Sequence, residues 1–193
     1  MAKAPAPYKV LVRELPTHRR FVVPAEHVSE WLRGLPMREA LGVTEPDPEA
    51  GAGVADLDLS SEGNHAFASG SFVGHLMVAC SRCINPMKIE IDEKLLVTFM
   101  PIGEMPADDE EDEDGAEVDA EDLNVFPFDG ETVDLEPLFR EQFVLAIPYA
   151  PICKEDCKGL CPQCGIDKNT ATCTCKPPID PRLEPLKGLK IPS

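Results

Sequence analysis

The sequence predicts an α+β protein. It has an antiparallel β meander or barrel-like core with two packed helices, and a small zinc-stapled C-terminal module. Three observations predict this. Residues 54–99 run through long stretches in which apolar and polar side chains alternate with the period of a strand. Residues 24–35 and 134–147 instead space their apolar side chains three and four apart, as amphipathic helices do. The eight cysteines all fall in close pairs, which scattered core cysteines would not do.

Taken in order, Tyr8–Glu14 places Tyr8, Val10 and Val12 on one face of a strand, and Phe21–Val23 extends or returns it. Pro24 opens a helix, because proline is tolerated in a first turn. On it Val28, Trp31, Leu32 and Leu35 share a face, and Gly34-Leu35-Pro36 closes it. Residues 45–53 read as a linker. Val54–Ser60 alternates, and the Glu62-Gly63-Asn64 turn leads into Ala66–Cys80, where Phe72, Gly74, Leu76 and Val78 share a face. Lys88–Met100 follows with Ile89, Ile91, Leu95, Val97 and Phe99, and its charged break at Asp92–Lys94 marks a bulge or bend. The CSRC motif at 80–83 then falls at the turn between two long strands.

Asp134 is a good N-cap for a helix reaching about Ala146, with Leu135, Leu138, Phe139, Gln142, Phe143 and Ile147 in one stripe and Pro148 ending it. Beyond Ile152 the chain is too short, and too rich in Cys, Pro, Lys and Gly, to build its own core. A segment this small is usually stapled by metal or disulfides. The expected organisation is a β core with helices over 1–150, containing an acidic disordered loop at 103–124, and a Cys-rich tail over 151–193.

Charge sharpens the picture. The net charge is -17, and Asp108–Asp122 alone holds 11 acidic residues and no basic one. That run has little to bury and repels itself, as a solvated loop does. It is either a tolerated surface insertion or an anionic arm for a basic partner. The acidic total argues against a DNA-coating protein, whereas RNA stays open because the position of charge matters more than its sum. No apolar run approaches the roughly 20 residues of a membrane span. The N-terminus lacks a secretory pattern, so a reducing cytoplasm is the expected address, where paired cysteines favour metal over disulfide.

CPQCG at 161–165 is the strongest local signal. Two thiolates two residues apart wrap one ion, and the following glycine allows the left-handed turn that completes the knuckle. Zinc takes four ligands in a tetrahedron, and thiolates select it over magnesium or calcium. Cys173 and Cys175 are the expected partners of Cys161 and Cys164. The remaining Cys80, Cys83, Cys153 and Cys157 make a second set of the right size, so one or two ions are expected. A single rearranged site, for example Cys157 with Cys161 and Cys164, is the alternative grouping. Arg82 beside Cys80 and Cys83 also permits a thiol oxidoreductase reading, although such motifs are expected near a βαβ pattern rather than between strands. The four histidines show no common spacing, and no phosphate loop, GxSxG or HExxH motif occurs. No enzyme is expected.

CSRC between two strands, the helix DLEPLFREQFVLAIP, then CKEDCKGLCPQCG, CTC and the closing IDPRLEPLKGL together resemble the YceD family, the large ribosomal RNA subunit accumulation proteins, over roughly 54–190. The resemblance implies a non-enzymatic role in accumulation of 23S ribosomal RNA and in large-subunit assembly. A metal-ordered tail would present Lys154, Lys158, Lys168, Lys176, Arg182, Lys187 and Lys190 to ribosomal RNA or to a basic ribosomal protein. A zinc-ribbon adaptor in transcription or another complex is the alternative function, and the CxxC oxidoreductase a second one. With almost no aromatic residues in the tail, base stacking on single strands is not expected.

Overall fold

The computed structural model describes residues 8–33, 53–105 and 124–175. These segments contain β1 (Lys9–Leu11), β2 (Thr17–Val23), α1 (Ala25–Arg33), β3 (Gly53–Glu62), β4 (His65–Ala79), β5 (Pro86–Pro101), β6 (Val125–Phe128), β7 (Thr132–Asp134) and α2 (Glu136–Leu145). Strands β2 to β5 pair antiparallel in chain order, which is the expected meander, and β6 adds in parallel along β5. The sheet is open, with β2 and β6 at its edges; β1 and β7 form a separate antiparallel pair.

Alternation builds the core. Ala55, Leu57 and Leu59 of β3, Phe72, Leu76 and Val78 of β4, and Ile91, Leu95, Val97 and Phe99 of β5 are buried. Leu138, Phe139 and Phe143 of α2 pack on that face, joined by Val28, Trp31 and Leu32 of α1. Phe139 sits at the hub. Its ring lies 5.9 Å from Phe72, 5.7 Å from Phe21 and 5.4 Å from Tyr8, spacings at which aromatic pairs attract. Trp31 Nε1 donates to Glu136 Oε1 at 3.1 Å, linking the two helices.

Two expectations are corrected. The β4–β5 register runs unbroken from Ala66↔Phe99 to Ala79↔Pro86, so Asp92–Lys94 makes no bulge. Glu93 takes the place opposite Phe72, and its charge is accommodated because it opens into the groove between β5 and α2. Asp134 ends β7 and pairs with Lys9 at 3.2 Å, so it is a strand residue rather than the N-cap. Its carboxylate still accepts the Glu136 N–H at 3.1 Å. Of the acidic segment expected at 103–124, residues 103–105 and 124 are among those described. Ile102–Glu104 form a 3-10 turn, and Asn64 and His65 both hydrogen-bond Glu104. The acidic run at 108–122, the helix stop at 34–36 and residues 45–52 of the linker lie outside the described residues.

Candidate metal centres

The hairpin β4–β5 presents its turn, Cys80–Asn85, next to the segment that leaves α2. Ser81 N–H and Oγ–H both donate to the Pro151 carbonyl, at 2.8 and 2.9 Å. That anchor brings residues 153–157 over the turn. Cys83 Sγ lies 3.6 Å from Cys153 Sγ and Cys80 Sγ lies 3.9 Å from Cys157 Sγ. All four sulfurs fall within 4.8 Å of one another, and Cys161, Cys164, Cys173 and Cys175 form a second such cluster. The eight cysteines therefore divide four and four, and the single rearranged site built on Cys157, Cys161 and Cys164 is overturned.

Both clusters are built on the same turn. In the first, the Cys80 N–H donates to the Asn85 carbonyl and the Ile84 N–H to the Cys80 carbonyl, each at 2.9 Å. In the second, the Cys161 N–H donates to the Ile166 carbonyl at 2.8 Å and the Gly165 N–H to the Cys161 carbonyl at 2.9 Å. CSRCIN and CPQCGI are thus two copies of one knuckle. Gly165 supplies its left-handed residue with φ 72°, as expected. Gly159 holds the two copies together. With φ 67° it passes so close to Arg82 that a Cβ would stand 2.8 Å from the Arg82 carbonyl oxygen. That oxygen accepts the Leu160 N–H at 3.0 Å, and Arg82 Nη1 donates to the Cys157 carbonyl at 3.1 Å.

The sulfurs are electrostatically frustrated as bare thiols. Burial pushes the Cys80 thiol up, but backbone N–H groups of Cys153, Arg82 and Cys83 overcome it and hold it at about 6. Backbone N–H groups of Cys164 and Gln163 likewise bring Cys161 down to about 6. Desolvation and the neighbouring sulfur of Cys83 push Cys153 up to about 12, while Cys164 and desolvation do the same to Cys175. Four crowded thiols cannot all ionise, since each charge raises the cost of the next. A divalent cation at the centre removes that conflict. The spacing fits one: zinc–sulfur bonds of about 2.3 Å give tetrahedral edges of about 3.8 Å. Either tetrad could hold a metal ion.

Of the basic residues singled out, Lys154 and Lys158 are exposed and Lys168 is half-buried. Lys158 and Lys168 meet at a shallow hollow of about 480 Å³ that Asn169, Thr170 and Thr172 also line. Lys176, Arg182, Lys187 and Lys190 lie outside the described residues. Sequence reasoning missed Asn85, Asp167 and Asn169, which brace the first tetrad from outside. Asp167 accepts the Asn169 N–H at 2.8 Å, an Asx turn for which D-x-N was the available signal. None of the four histidines touches either tetrad's sulfurs in the described residues.

An open, mostly antiparallel sheet whose hairpin turn and C-terminal segment carry two four-cysteine clusters defines a class: a β-core protein with paired cysteine knuckles that could hold metal ions. The chain belongs to the YceD family, described as large ribosomal RNA subunit accumulation protein YceD, whose pattern matches residues 68–190. The match begins in β4, so β3 precedes it. An uncharacterized protein of Mycobacterium tuberculosis is 31% identical over 128 residues, covering 66% of this chain and 56% of the relative. A Zea mays protein, large ribosomal RNA subunit accumulation protein YCED homolog 1, chloroplastic, is 32% identical over 132 residues, covering 59% of this chain and 45% of the relative. The chain spans about half the length of the curated relatives it matches. No solved structure matches. No helix among the described residues is long and apolar enough to cross a membrane.

Proposed function

We propose that this chain supports accumulation of 23S ribosomal RNA and assembly of the large ribosomal subunit without catalysing a reaction, acting in the cytoplasm. A zinc-ordered module over residues 151–193, appended to the core of residues 1–150, makes the contact. The observation that carries the reading is the division of eight thiols into two sets of four, the first joining Cys153 and Cys157 to the β4–β5 turn and the second closing residues 161–175 on themselves. Zinc supplies folding free energy to a segment that has no hydrophobic core of its own. Family membership gives the assembly context.

RNA is the favoured partner because Lys158, Lys168 and two threonine hydroxyls gather at one hollow, a set suited to backbone phosphate. A basic ribosomal protein meeting the acidic run at 108–122 is the competing partner. The oxidoreductase reading has less support. Cys80 and Cys83 are 1% and 3% exposed, whereas reactive thiols sit within reach of solvent. Sedimentation tests the proposal: tagged protein should run with large-subunit precursors and be released by rising salt, as phosphate contacts are. Protein that stays in the light fractions at low salt would refute it. Co-sedimentation that survives RNase treatment and is lost on deleting 108–122 would transfer the contact to a protein partner.

A further inference from the structure

We infer that the two tetrads take up their ions cooperatively and that Asn169, oriented by Asp167, couples them; this rests on the metal-binding reading above. Asn169 belongs by sequence to the second site, in the loop between Cys164 and Cys173. Its side chain nevertheless serves the first. Asn169 Nδ2 donates to Cys157 Sγ at 3.4 Å and to Asp167 Oδ1 at 2.7 Å, while Asn169 Oδ1 accepts the Lys158 N–H at 2.9 Å. Both amide hydrogens and the carbonyl are thus engaged, and the three partners together permit only one orientation of the amide. Asp167 spans to the other knuckle: its Oδ2 accepts Asn85 Nδ2 at 2.8 Å. Asn85 in turn offers its carbonyl to the Cys80 N–H at 2.9 Å. The loop is finally laddered to the first site's exit by Lys168 N–H donating to the Gly159 carbonyl at 3.0 Å.

An ion in the second tetrad ties residues 161–164 to 173–175 and so closes the loop that carries Asp167 and Asn169. The donor to Cys157 and the brace on Asn85 are then in place before the first ion arrives. Ordering those groups no longer counts against the first site. A hydrogen bond onto a metal-bound thiolate stabilises its charge, and partners outside the ligand shell typically change metal affinity by about 10- to 100-fold. Linkage makes the effect mutual: the first ion, by fixing Cys157 and Asn85, must favour the second by the same factor. Asn169 is a positioning residue and ligates neither ion.

The test is competitive zinc titration of the full, reduced chain against a chelator of known affinity, with cobalt(II) as the spectroscopic probe. Cys164→Ser/Cys175→Ser, which disables the second tetrad, should weaken zinc at the first by about 10- to 100-fold. Asn169→Ala should do so with both tetrads intact, yet change the first site less than about threefold once the second is disabled, since the coupling is already gone. Asp167→Asn, closer in shape, should give a smaller loss in the same direction. Asn169→Ala should also shift the sulfur-to-cobalt charge-transfer band of the first tetrad, which a role in folding alone would not do. Two tetrads that fill with affinities independent of each other, or an unmoved band, would overturn the coupling and leave the metal reading intact. A chain that binds neither zinc nor cobalt would remove both.

Discussion

Ile84 and Gly165 hold the same left-handed backbone at the same place in two turns, with φ 65° and 72°. Glycine adopts this conformation freely, whereas a β-branched residue there is strained by about 1–3 kcal/mol. Ile84 is 65% exposed, so its side chain recovers little by burial. Ile84→Gly should therefore stabilise the metal-loaded protein by about 1 kcal/mol, after glycine's own entropic cost. Gly165→Ile should cost about 1–3 kcal/mol, although open space surrounds its Cβ position, because the penalty is conformational. Denaturant unfolding of the loaded protein measures both, and equal or reversed effects would break the equivalence of the knuckles.

Chelation should separate the module from the sheet. With the ions removed, limited proteolysis should cut within 153–175, while the near-ultraviolet signal of Trp31, packed 6.3 Å from Phe143, stays. Simultaneous loss of both signals would mean that the sheet depends on the metal.

The aromatic hub makes a separate demand. Phe139 is fully buried among Tyr8, Phe21 and Phe72. Phe139→Ala should cost about 3–5 kcal/mol and leave zinc stoichiometry unchanged in protein that remains folded. Calorimetry with metal analysis on the same sample checks both halves.

Tyr8 provides a titration signature. Burial, then the Glu136 carboxylate, pushes its phenol from 10.0 up to about 12, while its hydroxyl hydrogen-bonds His27 Nδ1 at 2.6 Å. A raised folded value means that the fold favours the neutral phenol. This contribution to stability is complete below pH 10.0 and is lost as the pH climbs towards 12. In Tyr149→Phe, which leaves Tyr8 as the sole tyrosine, phenolate absorbance should rise near pH 12. A midpoint near 10 would show Tyr8 to be less buried than described.

The meander, both helices and the placement of CSRC at a hairpin turn were legible because alternation and helical spacing report directly on which face is buried. The cysteine grouping was legible only as arithmetic. It took the Ser81–Pro151 anchor to show that residues 153–157 land on the first knuckle. Pairing of Asp134 with Lys9 was hidden, since a lone aspartate before a helix reads as a cap whichever ladder it ends. The unbroken register through Asp92–Lys94 was hidden for a related reason: a charge on the inward side is tolerated wherever a groove admits water. Asn169 was invisible because its partner Cys157 lies in a different pair, and spacing says nothing of contacts between loops.

If eight thiols hold two ions, native mass spectrometry of freshly purified, reduced protein will count them. The expected result is two zinc ions per wild-type chain and one each in Cys80→Ser and Cys164→Ser. A wild-type chain that carries no transition metal while residues 153–175 still resist protease would contradict it.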